Sequence, residues 1–144
     1  MKYKKQYAYK YYHFKCVPIT GVANPAIFKK EGKKTSADSY TLIWEVDSYS
    51  PIIEYNLLFR EWKEQKTNND WIKLVIPADG SSPGPIHSKS YTVSGLQQGS
   101  VYQAMLLSRN RYGWSKPSQI FKFATEGAGE SRNQIKSFVN RLMK

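Results

Sequence analysis

SYTLIWEVDSYSPIIEYNLLFRE, residues 39–61, alternates at both ends and breaks in the middle. Tyr40, Leu42, Trp44 and Val46 are apolar at every second position, with Thr41, Ile43, Glu45 and Asp47 between them. Successive side chains of an extended strand point to opposite faces, so this pattern describes a strand with one buried side. Asp47 to Pro51 supplies turn residues, and Pro51 fixes its own φ. A second run then sets Ile53, Tyr55, Leu57 and Phe59 on one face against Glu54, Asn56, Leu58 and Arg60 on the other. The two runs are expected to form a pair of sheet strands joined by a short connection.

Outward from this stretch the same punctuation recurs. Residues 63–70 are polar and read as a loop, and residues 71–76 form a short apolar strand candidate. Pro77, Pro83 and Pro85, with Gly80 and Gly84, mark a long turn-rich segment through which no ladder should run. Tyr91 and Val93 open another strand, Gly95 breaks it, residues 101–108 continue the series, residues 110–113 turn, and residues 120–124 close it. Short strands at spacings of roughly 8 to 15 residues, with no helical period between them, predict an all-β, immunoglobulin-like antiparallel sandwich of about seven strands. Trp44, Tyr55, Leu57, Tyr102 and Ala104 would meet in its core.

The whole chain has 144 residues and a formal net charge of +11. That length suits one domain. Its single cysteine, Cys16, excludes an internal disulfide framework and a cysteine-based zinc cluster. The charge divides unevenly: five Lys and no acid in residues 1–23, thirteen basic against ten acidic residues in 24–126, and four basic against one acidic in 127–144. The high pI therefore reports mainly on the ends. Residues 1–22 are expected to be a basic, Tyr-rich segment, disordered or a remnant of a preceding domain, residues 23–126 the domain, and residues 127–144 a basic tail. In that tail Ile135, Phe138, Val139, Leu142 and Met143 fall at the spacing of a short amphipathic helix. The longest uncharged stretch near the N-terminus, residues 16–28, is too short and too punctuated by Pro and Gly to span a bilayer, and no apolar block follows the first lysines as a secretory signal would need.

An enzyme needs converging polar groups. The two histidines, His13 and His87, lie in the basic tail and in the Pro/Gly-rich segment, and no phosphate loop, nucleophile elbow or metal-binding pair accompanies them. No catalytic, cofactor-binding or metal-ligating residue is assigned, and no small-molecule substrate is expected.

The segment SYTVSGLQQGSVYQAMLLSRNRYGWSKPSQIFKFAT, residues 90–125, completes a second pattern. Together with residues 39–61 it resembles a fibronectin type III domain over roughly residues 24–126. In that family a Trp on the second strand anchors the core, and Trp44 stands at that position. A Leu, a tight turn and a Tyr open the sixth strand, here Leu96 to Tyr102. The resemblance implies that the Tyr102 ring packs inside while its hydroxyl bonds back to the chain. The Asn-x-Tyr-Gly turn at 110–113 also matches, with Gly113 free to take positive φ. Structural core residues are thus Trp44, Tyr55, Leu96, Tyr102 and Gly113. GVANPAIF (21–28), SPIIEYNLLFRE (50–61) and NRYGWSKPS (110–118) are similar, more narrowly, to the type III domain that follows immunoglobulin domains in invertebrate immunoglobulin-superfamily neural cell-adhesion molecules. The segment from Trp114 to Ser118 is also similar to the cytokine-receptor Trp-Ser-x-Trp-Ser box, but Pro117 replaces the second Trp and the paired cysteines are absent.

The resemblance implies a non-catalytic interaction or spacer module of a cell-adhesion or cell-surface protein, extracellular, without a cofactor, binding a protein partner it does not name. Arg111, Tyr112 and Trp114 precede the last strand and Tyr49 lies in another loop. These residue types dominate interface energetics, so the four form the candidate interaction surface. The alternative is a polyanion binder, for nucleic acid or acidic glycan, working through the two basic terminal segments, the first of which interleaves Lys2, Lys4, Lys5, Lys10 and Lys15 with tyrosines. Lacking any nucleic-acid recognition motif, the chain gives nucleic acid the weaker claim.

Overall fold

The computed structural model describes residues 21–30, 33–64, 70–80, 84–128 and 142–143. Nine strands run through them: β1 (Ile27–Phe28), β2 (Lys33–Ser36), β3 (Ser39–Asp47), β4 (Glu54–Glu61), β5 (Ile72–Pro77), β6 (Ile86–Val93), β7 (Val101–Asn110), β8 (Gly113–Trp114) and β9 (Phe121–Ala124). All described pairings are antiparallel. In the first sheet β3 pairs with β1 and β2 along one edge and β6 along the other. In the second sheet β4 lies between β5 and β7, and β7 carries β8 and β9 on its far side. The protein is therefore an all-β sandwich of two antiparallel sheets.

The core forms where the alternations of the two sheets face each other. Leu42, Trp44 and Val46 of β3 are fully buried, and opposite them lie Tyr55, Leu57 and Phe59 of β4 with Tyr102, Ala104 and Leu106 of β7. Large rings do much of the filling. Trp44 meets Tyr55 edge-on at 5.3 Å and Phe28 at 6.2 Å, while Phe123 lies 4.6 Å from Tyr40 and 5.6 Å from Tyr102. Burying each such side chain contributes about 1.5 to 3 kcal/mol.

Two expectations are corrected. The runs at 39–47 and 54–61 do not pair with each other: β3 and β4 belong to opposite sheets, and residues 48–53 cross between them. The physical reason is that both runs carry a buried apolar face, and stacking the faces buries both, whereas side-by-side pairing would leave each still seeking a cover. The crossover also shifts the alternation, so Ile52 is buried at 5% while Ile53 stands 46% exposed, off the face assigned to it. The second correction concerns His87. It lies on β6 rather than in a loop, because β6 begins at Ile86, five residues before Tyr91, and pairs with β3 all the way to Asp47. Backbone pairing to a long, well-anchored neighbour overrides the weak strand preference of serine and lysine.

The body is entered and left at opposite ends. Gly21 is held by Asn110 at the end of β7, whereas Gly127 packs against Gly99 just before β7 begins.

Candidate functional site

The end at which β3 finishes and β4 starts gathers residues 21–24, 48–53 and 110–113. Asn110 ties them together. Its side chain is 2% exposed, and Nδ2 donates to the Gly21 carbonyl oxygen at 3.0 Å and to Ser48 Oγ at 3.2 Å. Its Oδ1 accepts from the Tyr112 backbone N–H at 2.9 Å, the local turn that asparagine favours. Ser48 Oγ in turn donates to the Ser50 carbonyl at 2.6 Å, and His87 Nε2 donates to the Ser48 carbonyl at 2.9 Å. This buried polar cluster fixes the roots of two loops while their tips stay out.

The tips are aromatic and apolar. Tyr49 is 61% exposed, and Val22, Ile53 and Tyr112 are also exposed. Arg111 lies over the Tyr112 ring at 4.7 Å and donates from Nη2 to the Tyr112 hydroxyl, so two of the candidate surface residues form one rigid unit. Tyr49 and the Arg111/Tyr112 pair thus share one end. Trp114 departs from them: it sits on β8 at the outer face of the second sheet, with the Arg109 guanidinium 5.7 Å above its ring and Arg109 Nε donating to Glu54 Oε1 at 2.8 Å. Gly113 has φ +128°, a value in the left-handed region that side chains avoid.

The remaining named residues lie in the interior or at the opposite end. Trp44 is completely buried, and its Nε1 has no hydrogen-bond partner among the described residues. Burial pushes the Tyr40 and Tyr55 hydroxyls above the ordinary tyrosine value of 10. Leu96 is 6% exposed. Tyr102 Oη accepts from the Gln97 backbone N–H at 2.8 Å, and Thr125 Oγ1 donates to the Gln97 carbonyl at 2.7 Å while accepting from Ser100 N–H at 2.9 Å. Between Trp114 and β9, Ser115 and Ser118 do what strand pairing would otherwise do: their hydroxyls accept from the backbone N–H groups of Ser108 and Leu106 at 3.0 and 2.9 Å.

Sequence reasoning missed Asn110 as the organiser, although its spacing to Gly113 was visible. It also missed two tryptophan–cation contacts on the second sheet, Arg60 over Trp71 at 4.3 Å and Lys122 over Trp62 at 4.4 Å. The outward parity of Arg60 was the available signal. In a hollow of about 250 Å³ beside Tyr55, the lining Lys89 and Asp79 are paired with each other and His87 is bonded to the Ser48 carbonyl. Among the described residues no three His, Cys, Asp or Glu groups converge to hold a metal ion, and no helix is long and apolar enough to cross a membrane. Residues 1–20 of the basic N-terminal segment, with Cys16 and His13, lie outside the described residues, as does the tail except for Gly127, Ala128, Leu142 and Met143.

Comparison with known proteins returns one family, described as the fibronectin type III domain, matching residues 30–124. Among solved structures, the FN5 domain of Drosophila Lar is 18% identical with TM-score 0.52, over 74% of this chain and 99% of that one. The twitchin kinase region of C. elegans is 18% identical with TM-score 0.50, and a stretch of titin domains is 22% identical with TM-score 0.48. The match covers 74% and 72% of this chain but only 17% of the twitchin chain and 32% of the titin chain.

Proposed function

The chain belongs to the fibronectin type III family, and from that premise we propose that residues 23–126 act as a non-catalytic protein-interaction and spacer module, one unit of a longer cell-adhesion or cell-surface protein. The partner-facing site in this reading is the loop end carrying Tyr49, Arg111 and Tyr112, with Trp114 beside it. One observation carries the reading: a buried asparagine locks the crossover between the sheets to the turn between β7 and β8, yet the aromatic side chains at their tips remain exposed. Large amphipathic rings on rigid supports lose little freedom on binding, which is why such residues concentrate binding energy.

The test is site-specific photo-crosslinking on intact cells or extracellular matrix. A photoreactive residue at position 49 or 112 is expected to give discrete protein adducts, and the same group at Thr92, on the far face of the first sheet, none. Equal labelling from all three positions, or none from 49 and 112, defeats the assignment of the loop end.

A further inference from the structure

The outer face of the second sheet carries an apolar field with cations around it. By register Leu58 stands beside Met105, Asn56 beside Leu107, and Val75 of the edge strand beside Asn56. Leu58, Met105 and Leu107 are half-buried, Val75 is 59% exposed, and Ile120, one residue before β9, is also exposed. Strand spacings of about 4.8 Å and rises of about 3.3 Å per residue place these side chains in two rows about 7 Å apart that run about 14 Å across the strands.

Around it stand Arg60, Lys73, Arg109 and Lys122, against one outward carboxylate on the described strands of this sheet, Glu54, which pairs with Arg109. Three of the four cations rest on tryptophan rings: Arg60 on Trp71, Arg109 on Trp114 and Lys122 on Trp62. A ring orients a cation without neutralising it. Arg60 Nε donates to the neutral Gln103 Oε1 at 3.1 Å, so that contact also leaves its charge uncompensated. Arg109 is ion-paired with Glu54, so of the mounted cations Arg60 and Lys122 keep their charge, and with Lys73 they hold positive charge at the margins of an apolar surface.

We propose that this face binds an acidic polypeptide segment whose carboxylates flank two or three apolar side chains. The proposal rests on the reading of the domain as a protein-binding module and assigns that module a second surface and a partner chemistry. Charge chooses the occupant. A second copy meeting face to face would set cation against cation, and this chain's own ends are both basic. A sulfated glycan would match the cations but leave the apolar centre uncovered.

The probe is a capped peptide of alternating leucine and glutamate, titrated against the full chain while amide shifts are followed by NMR. Shifts are expected on β4, β5 and β7, with affinity falling as salt rises. Lys73→Glu and Val75→Asp alter exposed positions of the edge strand and should each weaken binding by about tenfold, while Thr92→Glu on the other sheet should not. Unchanged melting temperatures in the variants show that the fold is intact. Equal binding of a leucine–lysine peptide, of polyglutamate or of heparin would overturn the proposal, as would affinity indifferent to Lys73→Glu and Val75→Asp. Tyr49→Ser should leave this titration unchanged, so the loop end and the sheet face can each fail alone.

Discussion

The two ends of the sandwich are built to opposite specifications. At the end where β7 begins, the polar groups of the turn are turned inward: the Tyr102 hydroxyl and Thr125 Oγ1 together take up the backbone of Gln97 and Ser100, and Leu96 is buried beneath them. At the end where β7 finishes, one asparagine does the tying, and tyrosines and aliphatic side chains are left outside. The difference teaches that a single sheet architecture can separate fastening from display by length along the same strand.

That contrast has measurable edges. The largest expected effect is at the display end: Asn110→Ala should cost about 2 to 3 kcal/mol in chemical denaturation, because the Gly21 carbonyl, Ser48 hydroxyl and Tyr112 amide all lose a buried partner. A loss below that of the corner variants would mean the loops are held by something else. Thr125→Val keeps the shape but leaves Ser100 N–H and the Gln97 carbonyl without that partner, and should cost about 1 to 2 kcal/mol. Tyr102→Phe removes one acceptor and should cost about 1 kcal/mol. An unchanged melting temperature there would dissolve the corner as a fastening. The smallest effect is the most telling: Tyr49→Ser and Tyr112→Ser should each shift stability by no more than about 0.5 kcal/mol, since exposed side chains add little to folding. Substantial destabilisation would recast these tyrosines as structural.

Much of this is legible in the chain alone, and the reasons differ by element. The β3, β4 and β7 alternations were legible because each strand has one wet and one dry side, and the dry residues are large. The start of β6 was not, because its inward positions include His87 and Lys89, whose polarity is satisfied only by distant groups, the Ser48 carbonyl and Asp79. Nor could alternation alone say which sheet a strand joins; that depends on what covers its apolar face. Exposed aromatics at 49 and 112 could be picked by residue type, whereas the tryptophan mounts for Arg60 and Lys122 needed register. Lys122 and Trp62 are distant in sequence and meet only because Gln103 pairs with both Arg60 and Lys122.

Entry beside Asn110 and exit beside Gly99 have a mechanical corollary. A tension applied through the two attachment points runs along the strands, not across them. The ladders that fasten the first and last strands, two residue pairs between β1 and β3 and four between β7 and β9, would then be loaded in shear, with their rungs sharing the force at once instead of parting one after another. Strung in series, such a unit would behave as a stiff link that adds its full length to a tether and yields abruptly.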